Sequence, residues 1–259
     1  MRIYLSYFKI RFVSGLQYRS AALAGMITQV VWGILSITFL NIFNTNVMSH
    51  DNLSTYIWLN QAFLAITAIW ATDTSIFDLI ENGDVALEAL RPVNLYSLWF
   101  IRNLAFRISR CLLRFAPVII TAFLLPSPYK MSLPSSPLVF IYFLISLVLT
   151  LLIVVAITMW MAIFTIHIKT SLGIRTLFMA IFDLFSGTNI PLIFFPSWLQ
   201  RILSLTFFIG LQTATFNIYL GLANPLPTLV LQFVWAVILI GSGYFAMQHA
   251  LKHLEIVGG

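Results

Sequence analysis

LVFIYFLISLVLTLLIVVAITMWMA, residues 138–162, runs without one Asp, Glu, Lys, Arg or His. A hydrocarbon core of about 30 Å takes about 20 helical residues to cross, and this run exceeds that length. Backbone groups in lipid must be satisfied internally, so a lone spanning segment is a helix. A β-barrel would show short alternating segments, and this run is continuously apolar. The rest of the chain agrees. Of 259 residues 60% are hydrophobic and 8% are charged, against about 25% charged in soluble domains. Lipid is therefore the solvent for most of this surface.

Working outward, further spans are expected at residues 21–43, 56–75, 104–125, 176–195 and 226–248. With 138–165 as the fourth, they make an all-α, polytopic bundle of six transmembrane helices in one domain, 1–259. Residues 1–20, with Arg2, Lys9, Arg11 and Arg19, read as a basic interfacial helix or as a basic flank that sets topology. No small-residue cleavage pattern precedes the first span, and no removable signal peptide is expected. Residues 44–53 form a short polar loop. Residues 126–137, with Pro126, Pro128, Pro134 and Pro137, form an external turn. Residues 167–175 form a polar turn and 252–259 a polar tail. With both termini inside, every Lys and Arg except Lys130 and Arg201 falls on the cytoplasmic side, a strong positive-inside asymmetry. The formal net charge of +6 thus follows from topology and anionic headgroups, and nucleic acid is not an expected partner.

Residues 196–225 admit two readings. The uncharged stretch 202–223 could cross as a seventh span and put the tail outside. Pro196, Gly210, Gly221 and Pro225 interrupt it, and Gln212, Thr213, Thr215 and Asn217 make its middle polar. A re-entrant or interfacial hairpin between spans 5 and 6 is therefore the expectation, packed on protein. Trp58, Trp99 and Trp198 are expected in an interfacial belt.

Four of the eight acids, Asp78, Glu81, Asp84 and Glu88, fall in one cytoplasmic loop, 76–99. Gly83 is expected to end a helix continuing from span 2. Asp84 is expected to cap a short helix, 85–90, and Pro92 to stop it. The four acids share one arc. Ile76, Leu79, Ile80, Ala86, Leu87 and Leu90 share the opposite one and are expected to face the membrane or bundle. A solvated connector and a surface gripped by a soluble partner both fit this pattern.

The order of two motifs decides between them. Ile80–Asn94, I-E-N-G-D-V-A-L-E-A-L-R-P-V-N, resembles the first cytoplasmic loop of bacterial type-2 ABC transporter permeases, with its Gly-Asp and Leu-Arg-Pro-Val pattern. Phe185–Trp198, F-S-G-T-N-I-P-L-I-F-F-P-S-W, is similar to the G-x-x-x-P-x-x-x-x-P-x-W stretch after span 5 of those permeases, here Gly187, Pro191, Pro196 and Trp198. The resemblance covers essentially the whole chain. It implies a plasma-membrane exporter subunit paired with a second copy or a paralogue. Each subunit would dock on a cytoplasmic ATPase that carries ATP and magnesium, through a coupling element of Gly83, Asp84, Glu88, Leu90 and Pro92. The hairpin would lie externally near the exit, and spans 1, 2 and 5 would line the path. The residues agree on one point: no G-x-x-x-x-G-K-[ST] loop occurs, and the one Lys-Thr, Lys169-Thr170, follows Ile168. ATP would have to bind another chain.

Asp183 falls inside span 5, where an Asp costs about 2.5–3.5 kcal/mol on insertion scales. It is expected to pair with Arg110 or Arg114 at the base of span 3, the alternative being a pathway or gating residue. Asp73 and Asp183 lack the contexts of an intramembrane protease pair. His249 and His253 lack a third ligand, so no metal is expected. Few intramembrane charges favour an amphiphilic, peptide or lipid-like cargo. The alternative, an ATP-independent secondary transporter, would call for internal repeats and several intramembrane ionisable groups. The sequence has no visible repeat and only Asp183.

Overall fold

The computed structural model describes residues 2–43, 48–208 and 210–252. Among them all regular structure is helical: α1 (Arg2–Leu16), α2 (Arg19–Phe43), α3 (His50–Thr67), α4 (Thr74–Glu81), α5 (Val85–Ala89), α6 (Leu95–Leu124), α7 (Pro137–Ile168), α8 (Leu172–Phe185), α9 (Ser197–Leu203), α10 (Thr213–Tyr219) and α11 (Pro225–Lys252), with a short 3-10 turn at Leu192–Phe194. Residues 44–47 of the polar loop expected at 44–53, and residues 253–259 of the tail, with His253, lie outside the described residues.

Three of these helices, α2, α7 and α11, are long and apolar enough to cross a membrane. The others depart from the expected spans for identifiable reasons. α3 starts six residues before the expected position 56 and stops at Thr67, eight residues before 75. α6 extends back to Leu95, and its first two-thirds carry Arg102, Arg107, Arg110 and Arg114. α8 covers 14 residues, about 21 Å at about 1.5 Å per residue, so the expected continuous span 176–195 is not one helix. It breaks at Ser186–Gly187, where Gly187 has φ +86°. A β-carbon there would also collide with Thr213 Oγ1 and Tyr56 Oη. Glycine is required on both counts.

α7 and α3 form the axis of the bundle. α11 packs along α7, α1 lies along the first half of α6, and α3 sits between α2 and α6. One apolar cluster joins α3 to the second half of α6, the first half of α7 and α10. The other joins α4, α5, the start of α6, the second half of α7, α8 and α11. α6 and α7 therefore run in opposite directions through both clusters, and α4, α5 and the α7–α8 turn share one end. Trp58 and Trp99 are wholly buried in these clusters. The aromatic belt expected of them is a correction, since both indole N–H groups have internal partners. Trp58 Nε1 donates to the Tyr129 carbonyl at 2.6 Å. Trp198 is 60% exposed.

Non-helical backbone is tied down by polar side chains on α3, α7 and α11. The hydroxyl of Ser54 donates to the Pro128 carbonyl at 2.6 Å, and Ser132 N–H donates to Thr55 Oγ1 at 2.9 Å. Thr150 Oγ1 reaches the carbonyls of Gly210 (3.1 Å) and Leu211 (2.5 Å). Gln232 Nε2 reaches the Gly210 carbonyl at 3.0 Å and Thr150 Oγ1 at 3.1 Å, and Gln232 Oε1 accepts from Ser146 at 2.8 Å. This buried network holds the turn before α10, in the segment expected to form the hairpin, against α7 and α11. Removing one partner of a buried hydrogen bond costs about 1–3 kcal/mol. Gln232→Leu is therefore expected to lower the melting temperature of the detergent-solubilised protein by several degrees, read by tryptophan fluorescence. An unchanged melting curve would show that the network does not hold the turn.

Candidate coupling surface and membrane groove

The loop between α3 and α6 folds into two short helices with a sharp corner between them. Asp73 caps α4: its Oδ1 accepts from Ser75 N–H at 3.2 Å and from the Ser75 hydroxyl at 2.5 Å. Its Oδ2 pairs with Arg102 Nε at 2.7 Å, the one ion pair among the described residues, and Arg102 Nη2 also donates to Ser75 Oγ. Burial alone would raise the Asp73 pKa, but Arg102 and the Ser75 donors outweigh it and hold the carboxyl below its ordinary range. A depressed folded value stabilises above the unfolded value of about 3.9. That contribution is lost as pH falls through the folded one.

α4 buries Ile76, Phe77 and Ile80, and Arg175 of α8 stacks over the Phe77 ring, 5.3 Å from its centroid. At the end of α4, Glu81 Oε1 accepts from Ser171 N–H at 2.6 Å, at the start of α8. That backbone donor holds the Glu81 carboxyl below the usual range. Gly83 then turns the chain at φ +79°, a conformation costly for any residue with a β-carbon. Asp84 precedes α5 but its side chain makes no capping bond, contrary to the expectation. It lies in helical backbone geometry there, so its carboxylate does not meet the orphan N–H groups.

The outward face also differs from the helical-wheel reading. Glu88 is drawn inward, its Oε2 accepting from Trp99 Nε1 at 2.6 Å. Leu87 and Leu90, expected on the inner side, are 66% and 81% exposed. A single wheel assumes one continuous helix, whereas the corner at Gly83 re-aims α5. Gly83, Leu90 and Pro92 are exposed, Asp84 and Glu88 half-buried, and Asp78 and Glu81 exposed at the flank. The corner thus presents two leucines beside acidic side chains. Asn94 closes the unit, accepting at Oδ1 from Ser97 N–H at 2.9 Å to cap α6. Its own N–H donates to Tyr4 of α1 at 3.1 Å, and its side-chain amide to Tyr244 of α11 at 3.4 Å.

Asp183 is half-buried in α8, and neither Arg110 nor Arg114 reaches it. Arg110 instead lies over the Phe106 ring, 3.8 Å from its centroid. The Arg114 guanidinium occupies the space a β-carbon at Gly25 would need. Gly187, Pro191 and Pro196 lie along the irregular stretch between α8 and α9, and Trp198 lies in the first turn of α9. Gly187 accepts at its carbonyl from Tyr56 Oη at 3.1 Å, and the Thr188 carbonyl accepts from Asn60 Nδ2 at 2.6 Å. Beside this turn, a groove of about 400 Å³ opens between α2 and α3, lined by Gln29, Trp32, Asn60, Gln61 and Asn189. The buried Oε1 of Gln29 and Oδ1 of Asn60 have no partner there.

Three contributors to this architecture were not picked out in the sequence: Arg102 as the partner of Asp73, Arg107 inside α6, and the groove amides Gln29 and Asn60. The available signal was polarity at positions where the surrounding span is apolar. A family model described as an ABC-2 family transporter protein matches residues 48–258. A search of curated proteins returned no match.

Proposed function

Since the chain belongs to the ABC-2 transporter family, we propose that it is the membrane-spanning permease subunit of an ATP-driven exporter. It moves an amphiphilic, peptide or lipid-like cargo across the plasma membrane of a bacterium and is driven by a separate ATPase that binds ATP and magnesium. α2, α3, α6, α7, α8 with the turn after it, and α11 supply six passes, with both termini cytoplasmic.

The observation that carries this reading is the exposed corner at Gly83 and its bracing. Leu87 and Leu90 offer an apolar knob for a cleft on the ATPase. Bonds behind it lead into the bundle: Glu88 to Trp99 and Asp73 to Arg102 reach α6, and Glu81 to Ser171 reaches α8. Asn94 connects the same unit to α1 and α11. A push on the corner is thereby delivered to α6, which packs on α2 and α3, the helices that flank the groove. α2 leaves Ile27, Val31, Trp32 and Phe39 exposed, so a second copy or a paralogue facing α2 would enclose the groove as a path. Its amides and indole ring suit a cargo with both polar and apolar parts.

The test is purification of the tagged subunit from native membranes under mild detergent. It is expected to bring down an ATPase and a second permease chain. The isolated subunit is expected to hydrolyse no ATP, and ATP is expected to drive transport by the reconstituted complex. A lone subunit that transports on an ion gradient would overturn the reading.

A further inference from the structure

Neither Arg110 nor Arg114, the alternative partners expected for Asp183, forms an ion pair with it, and their surroundings point to a different partner. Arg110 faces a cleft of about 320 Å³ between the end of α1, the start of α4 and the first half of α6, which Arg11 and Arg102 also line. Asp73 is its one carboxylate, and that is already bonded to Arg102. Neither α1, α2 nor α6 contains an acidic residue. Arg110 sits within electrostatic reach of Arg114, a like charge, and of Asp73, whose carboxylate it shares with Arg102. Among the described residues neither Arg110 nor Arg114 makes a hydrogen bond or ion pair, and the buried Nε of Arg114 has no partner. Arg11 gives its Nε to Tyr7 Oη at 3.2 Å. The cleft thus gathers three guanidinium groups, Arg11, Arg102 and Arg110, around a single carboxylate; a bound anion would offset their mutual repulsion, and the guanidinium fork matches phosphate oxygens.

We propose that this cleft binds the phosphate of an anionic phospholipid from the cytoplasmic leaflet, held between Arg11 and Arg110. Ser14 and Tyr18 stand at the same cleft to donate to headgroup oxygens. The setting favours a lipid over a soluble phosphoester. Next to the cleft, α1 leaves Ile10 and Val13 exposed, and α2 leaves Leu23 and Ile27 exposed. A headgroup in the cleft would lay its acyl chains along that apolar surface. The bound lipid would cement the joint between α1 and α2 to α6, the helix that also receives Glu88 and Asp73.

The test uses the full chain in neutral detergent, equilibrated with equal phosphatidylglycerol and phosphatidylcholine, with retained lipid counted by native mass spectrometry. Wild type is expected to keep phosphatidylglycerol in preference to phosphatidylcholine. Arg11→Gln with Arg110→Gln is expected to lose that retention by on the order of tenfold, as two surface cations imply. Lys130→Gln, beyond the far end of α6, is expected to keep it. The melting temperature of each variant is measured alongside. A double variant that folds and retains phosphatidylglycerol like wild type overturns the proposal, as does equal retention of the two lipids. Displacement of the lipid by millimolar inorganic phosphate would assign the cleft to a soluble phosphate and overturn the lipid assignment. If the double variant does not fold, Arg110→Lys decides. It keeps the charge but not the fork, so an unaltered lipid preference with wild-type affinity would overturn the guanidinium–phosphate contact.

Discussion

Leu87→Asp combined with Leu90→Asp is expected to abolish ATP-driven transport by the reconstituted complex and to release the ATPase from the subunit, while the subunit itself folds normally. Both side chains are more than half exposed in the isolated chain, so neither substitution opens a cavity or buries a charge within it. Burying a leucine is worth about 1.5–3 kcal/mol. Two leucines entering an apolar cleft would supply enough for about a hundredfold or more in affinity. Aspartates there would also have to be desolvated. The readouts are co-purification of the ATPase and transport per ATP hydrolysed. Wild-type values for both would remove the corner at Gly83 from the interface. Glu88→Gln is the informative companion, because Glu88 points inward to Trp99. It is expected to leave the ATPase bound but to lower the transport obtained per ATP. Reversing the charges of Asp84 and Glu88 together would mix these two effects, since one carboxylate is free of side-chain capping and the other is a brace.

What the sequence made legible was periodicity-free apolar length and breakers. The run at 138–162 became α7, the proline-rich turn before it stayed a turn, and the corner at Gly83 fell where the glycine stands. What it hid were partners brought together by packing. Nothing local says that Arg102 will find Asp73, or that Asp183 will stand without the arginines one might assign to it. Those outcomes depend on the relative rotation of α3, α6 and α8, which apolar patterns this uniform leave open. The wheel reading of residues 76–99 failed for a related reason. It placed Leu87 and Leu90 with Ile76 and Ile80 by assuming one helix axis, and the backbone bends between them. Trp58 and Trp99 misled because indole is at home both at an interface and in a core that offers its N–H an acceptor.

Arg107 is where burial and function meet most sharply, and Arg107→Leu is expected to be the most damaging single substitution in the chain. Its side chain is 0% exposed. Nη1 lies 3.2, 3.3 and 2.8 Å from the carbonyls of Ala65, Ile66 and Ala68, and Nη2 donates to Thr158 Oγ1 at 3.2 Å. These carbonyls belong to the C-terminus of α3, which ends inside the bundle at Thr67. The last carbonyls of a helix lack intrahelical donors, and the negative end of the helix dipole favours a cation there. A leucine would fill space but leave those oxygens dry and unbonded. Charged hydrogen bonds are worth about 1.5–3 kcal/mol, so a loss of about 3 kcal/mol or more is expected. It would be read as a much lower melting temperature in detergent and a lower yield of folded protein. Arg107→Lys separates stability from coupling. An ammonium keeps the charge but cannot span three carbonyls and a hydroxyl as the planar fork does. The lysine protein is expected to fold and hold the ATPase, yet to transport less per ATP, because the end of α3 fixes where the chain departs toward Asp73 and α4. If the leucine variant melts with wild type, α3 does not depend on this cap. If the lysine variant couples normally, the position of that departure point does not matter to transmission.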